Sequence, residues 1–171
     1  ESCMGTEPKY RLVLLKISGE ALAGDQKTGL NFNVIGQVCD VIKTCTELGV
    51  QVGVVIGGGN FWRGVKNGEG YIERTRADHM GMLATAMNCM AVADVLEQKG
   101  VDVRVQTALE IKEVAEPYIR ARAIRHLEKG RVVLFGGNQR RCDPARQEHR
   151  RRLQRRSRQG RERDQVRRYL L

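Results

Sequence analysis

Val50-Gln-Val-Gly-Val-Val-Ile56 runs straight into Gly57-Gly58-Gly59-Asn60. The first seven residues read as a strand buried in a sheet, because the run is apolar, β-branched and short. The glycines mark a turn at its carboxyl end. Upstream, from Asn31 on, Val34, Ile35, Val38, Val41, Ile42, Cys45 and Leu48 keep the three-four spacing of one helix face. Gly49 sits where a helix cap favours positive φ. Further back, Arg11-Leu-Val-Leu-Leu-Lys-Ile17 is a second apolar strand, ended by Ser18-Gly19. Downstream, Asp78 is a good N-cap for a second helix, with Met80, Leu83, Met87 and Ala91 on one face and Gly100 at its end. Val101–Thr107 is a third strand. Pro117 suits the first turn of a third helix, ended by Gly130. Arg131-Val-Val-Leu-Phe135 is a fourth strand, ending in Gly136-Gly137. This alternation predicts a mainly parallel sheet covered by helices, with no internal repeat.

Composition narrows the classes. Uncharged apolar runs such as Leu12–Leu15 stay far short of the roughly 18–20 residues a membrane helix needs. Residues 1–6 lack the basic-then-apolar pattern of a secretory signal. The five cysteines are odd in number and contain no C-x-x-C pair. That argues against a disulfide scaffold or zinc ribbon and for reduced cytosolic thiols. The net charge of +10 suggests a nucleic-acid binder until it is located. Residues 138–171 hold 13 Arg, no Lys and four acids, so they carry +9 of it. Residues 1–137 hold 17 basic and 16 acidic residues and are near neutral.

Ligands of parallel sheets sit beyond the carboxyl ends of the strands. Three of those ends are glycine-rich: Ser18-Gly19, Gly57-Gly58-Gly59 and Gly136-Gly137. Glycines let backbone N–H groups approach phosphate oxygens. Lys16 precedes the first turn and Arg63 follows the second, and two cations on one rim can stabilise a phosphoryl group in transfer. Each feature also has a plainer reading. A glycine triplet can be only a tight turn, Lys16 a solvated strand end, and Arg63 a surface cation. His79 has no nucleophile at suitable spacing, and the methionines of residues 80–90 read as core filler. There is no G-x-x-x-x-G-K-[ST], which excludes a P-loop kinase. The residues by themselves support an α/β phosphate or nucleotide binder.

Longer stretches carry a resemblance. Tyr10-Arg-Leu-Val-Leu-Leu-Lys-Ile-Ser-Gly-Glu-Ala-Leu22, Gln51-Val-Gly-Val-Val-Ile-Gly-Gly-Gly-Asn-Phe-Trp-Arg-Gly64 and Ala77-Asp-His-Met-Gly-Met-Leu-Ala-Thr-Ala-Met-Asn88 resemble the bacterial UMP kinases of the amino acid kinase superfamily. Gln106–Ile111 and Ala115–Gly137 look like the version found in Gram-positive-type bacteria. The match covers residues 9–137. It implies an αβα sandwich around a mainly parallel sheet, a cytoplasmic homohexamer, and transfer of the ATP γ-phosphoryl group to UMP with Mg²⁺. By position it implies that Lys16, Ile17, Ser18 and Gly19 form the phosphate-binding turn, with Lys16 the stabiliser of the migrating group. Gly58 would contact UMP, Gly59 would contact ATP, Arg63 would reach the phosphates, and Asp78 would bind UMP through the ribose hydroxyls. Residues 24–29 match a region linked to GTP activation, but Asp25-Gln-Lys-Thr28 departs from the pattern. Another member of the superfamily, such as an acetylglutamate or carbamate kinase, is the enzyme alternative, and Asp78-His-Met-Gly-Met82 argues against it.

After Gly137 the resemblance stops. The Gly-Thr-Gly-Asn-Pro and Asp-Gly-Val-Tyr elements it leads one to expect are absent from residues 138–171. This leaves 1–8 as an N-terminal extension, 9–137 as the amino-terminal part of the kinase fold, and 138–171 as an aberrant Arg-rich tail. Only Leu153, Val166, Leu170 and Leu171 could anchor that tail among its Val, Ile, Leu, Met and Phe positions. Disorder or a non-native helix is therefore expected. A nucleic-acid-binding arm is the functional alternative. A frameshift accounts for the tail better. Synonymous codons exist that encode these residues in one frame and an Asp-Gly-Val-Tyr-containing, ATP-holding segment one base on. The CGN codons of arginine also explain an Arg excess without Lys. The reading is a deletion after Gly137 that shifted the frame, and the nucleotide sequence decides it.

Overall fold

A computed structural model of the chain describes residues 8–63 and 71–137. The N-terminal extension up to residue 7 and the Arg-rich tail lie outside the described residues. In chain order the elements are β1 (Leu12–Ile17), α1 (Gly19–Ala23), a 3-10 turn (Gly24–Gln26), α2 (Phe32–Glu47), β2 (Gln51–Ile56), α3 (Arg74–Gln98), β3 (Val103–Thr107), β4 (Glu116–Pro117), α4 (Arg120–Glu128) and β5 (Val132–Gly136). The strands form one sheet in the order β1-β2-β5-β3-β4, and every pairing is parallel.

Strand alternation divides the core into two layers. Val52, Val54, Ile56, Val132 and Leu134 face α2 and α3, meeting Ile35, Ile42, Val92 and Leu96. Val55, Val133 and Phe135 face the other way, onto Ala123 and Leu127 of α4. The result is the helix–sheet–helix sandwich that the resemblance implies. Gly53 interrupts the apolar run of β2 for a packing reason. A Cβ there would lie 3.1 Å from Leu14 Cδ1 and 3.3 Å from Phe135 Cε2, so its absence makes room for the Phe135 ring. Cys39 fastens α2 to α3, its thiol donating to the Val92 carbonyl at 3.8 Å. Burial pushes its pKa up to about 11 against the opposing charge of Lys99, which makes it an inert structural thiol.

Three expectations need correction. Asp78 is not an N-cap: α3 begins at Arg74, with Glu73 in the cap position, and Asp78 lies exposed inside the helix. Arg, Thr, Arg and Ala extend the helix by one turn at little cost. The face of Met80, Leu83 and Met87 is the outer one, and the methionines there are not core filler. Met80, Leu83, Met87 and Met90 are 38–50% exposed, while Ala77, Ala84, Thr85, Ala86, Asn88 and Cys89 are buried. Small side chains bring the helix axis close to the sheet, so the bulky ones are turned outward. Pro117 belongs to β4, and α4 starts only at Arg120. An edge strand tolerates a residue without an N–H. Contrary to the count of apolar runs, α3 is also long and apolar enough to cross a membrane, by length and composition alone. However, 44% of its most apolar window is buried in the fold. Packing on the sheet accounts for that apolarity.

Candidate functional site

The three glycine-rich strand ends are neighbours, because β1, β2 and β5 are adjacent in the sheet. The first two are pressed together. Gly57 donates its N–H to the Ile17 carbonyl at 2.9 Å, continuing the β1–β2 ladder into the turns. A Cβ on Gly19 would fall 2.4 Å from Asn60 Oδ1, 2.7 Å from the Gly59 nitrogen and 2.8 Å from the Gly57 carbonyl. No residue but glycine fits there. Gly58 is held as closely from the other side. Its Cβ would meet Ala84 Cβ and the Gly81 carbonyl of α3, each at 2.9 Å. The third turn is tied to α3 as well, since the Gly137 N–H donates to Thr85 Oγ1.

Two buried amides lie beneath the glycines. Asn88 of α3 donates to the Gly57 carbonyl at 2.6 Å and to Asn60 Oδ1 at 2.7 Å. Asn60 donates to Asn88 Oδ1 at 3.0 Å and to the Gly29 carbonyl at 2.7 Å.

The residues singled out by sequence gather on this rim. Lys16 is exposed near the end of β1, opposite Val55, and makes no ion pair with a described residue. Ile17 is half-buried. Ser18 caps α1, its Oγ accepting from the Ala21 N–H at 3.2 Å. Gly57 spends its N–H on Ile17, and Phe61 and Trp62 both donate to the Gly58 carbonyl at 3.1 Å. The Gly58 and Gly59 N–H groups are left unengaged with any described residue. Arg63 lies over the turn, with Nε donating to the Gly59 carbonyl at 3.2 Å, but Glu20 meets its charge at 2.7 Å. Asp78 stands one turn before Gly81 on the same helix, at the same end of the sheet.

Glu20, Asn60, Thr85 and Asn88 were not legible as site residues. A signal existed for the last: an amide among Met87, Cys89 and other apolar residues mid-helix demands a buried partner.

A separate polar cluster lies at the β3–β4 edge. Arg131 donates to His126 Nδ1 at 3.1 Å, so the His126 Nε2–H faces Glu116 at 3.2 Å, beside Gln106 Nε2 at the same distance. Burial alone would raise the Glu116 pKa. The hydrogen bonds from Gln106 and His126, with the charge of Arg122, hold it below the usual range.

The chain resembles known proteins. Residues 11–153 match the profile of the Amino acid kinase family. The structure of a UMP kinase from Bacillus anthracis superposes with a TM-score of 0.71 at 41% identity, covering 76% of this chain and 54% of that one. A UMP kinase from Ureaplasma parvum gives 0.69 at 28% identity, covering 75% of this chain and 55% of that one. An isopentenyl phosphate kinase in its substrate complex shares the fold, with a TM-score of 0.53 at 17% identity over 74% of this chain and 53% of that one. The chain thus spans just over half the length of the solved UMP kinases it matches.

Proposed function

Since the chain belongs to the amino acid kinase family, we propose that its described residues form the acceptor side of a UMP kinase, which passes the γ-phosphoryl group of ATP to UMP and gives UDP. The observation that supports this most is the closure of the Gly19 turn onto Gly57–Gly59, where a Cβ would collide at 2.4–2.8 Å. That contact brings a lysine and unengaged backbone donors onto one rim. In phosphoryl transfer the migrating group carries charge on its equatorial oxygens, and the protein supplies position and compensating charge. Lys16, with no described acid against it, offers an uncancelled positive charge at the end of β1. The Gly58 and Gly59 N–H groups offer directed donors. Arg63 becomes available to phosphate when Glu20 gives it up. Asp78 suits hydroxyl donors, such as those of the UMP ribose. Magnesium enters with the phosphates of ATP, as part of the substrate. The reading goes with a cytoplasmic enzyme of pyrimidine nucleotide synthesis.

The test is a UMP titration followed by the emission of Trp62, the chain's single tryptophan, which adjoins Gly81. A saturable change is expected. Asp78→Ala should weaken binding by about 10–100-fold, the usual worth of hydrogen bonds to a charged group. A flat titration, or an affinity indifferent to Asp78, would overturn the reading.

The same family reading implies self-association, and the outward stripe of α3 supports it. Met80, Leu83, Met87 and Met90 form an exposed row at helical spacing. A row of this kind can pair with its own copy about a two-fold axis. The chain is expected to sediment as an oligomer and Met87→Glu to shift it toward the monomer. A monomeric parent chain at tens of micromolar would refute this.

A further inference from the structure

Asn60 and Asn88 are 2% and 0% exposed, and their side chains form a closed amide pair. Each donates one N–H to the other's carbonyl oxygen, at 2.7 and 3.0 Å. Each then spends its second N–H on a backbone carbonyl, Asn88 on Gly57 at 2.6 Å and Asn60 on Gly29 at 2.7 Å. The two backbone carbonyls fix which way both amides point, since only an NH₂ group can face them. All four amide N–H bonds are satisfied. The Gly29 N–H returns a bond to the Asn60 carbonyl at 3.2 Å.

Three segments therefore meet on one pair: the loop before α2, the turn after β2, and α3. Asn60 Oδ1 is also the atom nearest to where a Gly19 Cβ would be, at 2.4 Å, so the pair underlies the first turn as well. Stability alone does not call for such a pair, because apolar groups of the same shape can replace two buried hydrogen-bonding partners at little net cost. Amides add direction and a fixed distance between the groups they join.

We infer that Asn60 and Asn88 are positioning residues, which set the height of the Gly58 and Gly59 N–H donors relative to the Gly19 turn and to Asp78 on α3. They touch no substrate and act on a nucleotide phosphate through the glycine turn. This rests on the nucleotide reading above and assigns the part of the fold that holds its geometry.

The test uses the full 171-residue chain with Asn60→Ala, Asn88→Ala and the double variant. Ile42→Val, a core change on the buried face of α2, controls for lost stability. UMP affinity is measured, together with amide hydrogen exchange at Phe61 and Trp62 relative to the amides of β2. Each single variant should bind UMP at least about 10-fold more weakly and exchange faster at the turn. The double variant should be no worse than either single one, because the two amides act as a unit. Ile42→Val should leave the turn's relative exchange and the affinity unchanged. Unaltered exchange and affinity in the single variants, or additive losses in the double, would overturn the inference. If the parent chain binds no UMP, the nucleotide reading fails, and the exchange data still decide. Non-additive loosening confined to the turn upholds the positioning role, and any other pattern rejects it. Should an alanine variant not fold, Asn60→Ser and Asn88→Ser are read in the same way.

Discussion

Mixed with ATP and UMP, the purified 171-residue polypeptide is expected to release no UDP above background. On the reading proposed above, Gly58 and Asp78 supply part of an acceptor site, and Lys16 and Gly59 part of a phosphate rim. Transfer also needs the donor held in line with the acceptor, and a misplacement of about 1 Å can already cost on the order of 100-fold in rate. The sequence after Gly137 carries neither the Gly-Thr-Gly-Asn-Pro loop nor the Asp-Gly-Val-Tyr segment expected to hold ATP. The chain covers 54–55% of the UMP kinases it matches. A 171-residue polypeptide without those segments should not turn over. If the tail is the product of a frameshift, the gene with that segment and frame restored should phosphorylate UMP. Lys16→Ala in the restored protein should then lower the rate by roughly 10²–10³, the usual cost of one donor to a developing oxyanion. Discontinuous chromatography of UDP, with a mock purification as blank, measures both. Robust UDP formation by the 171-residue polypeptide would show that residues 138–171 complete the site.

Gly19→Ala should be the most damaging single-methyl change in the described fold. The added carbon would sit 2.4 Å from Asn60 Oδ1, and Asn60 cannot swing aside without breaking its bonds to Asn88 and Gly29. The other two obstacles, at 2.7 and 2.8 Å, are backbone atoms of Gly59 and Gly57. Overpacking costs typically about 1–3 kcal/mol, and an immovable surround puts this site at the upper end. A loss of about 3 kcal/mol should lower the melting temperature by roughly 6–12 °C. UMP binding should go with it, because relief of the clash means parting the two turns. Gly36→Ala provides the contrast. Gly36 lies in α2 with nothing within 4 Å of its Cβ position, so alanine should stabilise by about 0.5–1 kcal/mol. Thermal melts followed by circular dichroism separate the cases. A Gly19→Ala chain that melts within 2 °C of the parent would mean the turns are looser than described.

Why the sequence could be read for some features and not others follows from periodicity. Val52, Val54 and Ile56 show β2 as buried because a strand covered on both faces leaves no polar position. Gly49, Gly100 and Gly130 end helices in the expected places, with φ of +77, +79 and +74°, a region costly for side-chain-bearing residues. Periodicity failed on α3, where both faces are apolar and only side-chain size separates them. Leu83 and Met87 are larger apolar side chains than Ala84 and Cys89, but close approach to the sheet selects the small residues. The site was legible as three glycine turns and Lys16. Their adjacency was not, because it depends on β5 entering the sheet beside β2. Nor was the Asn60–Asn88 pair, which joins residues from a turn and a helix that no local pattern connects.

The position of β5 also governs the order in which the polypeptide can become a structure. It lies between β2 and β3, pairing Gly53 with Val133 on one side and Val105 with Leu134 on the other, yet it is the last described strand to leave the ribosome. Until Gly136 emerges, β1–β2 and β3–β4 are two half-sheets with unpaired inner edges, lined by Val54 and Val103. The chain closes around its final strand, a non-local step of the kind that slows folding. From the synthesis of β3 until that of β5 those open edges are available to other nascent chains. The interval before β5 is synthesised is therefore the period in which a chaperone has most to protect.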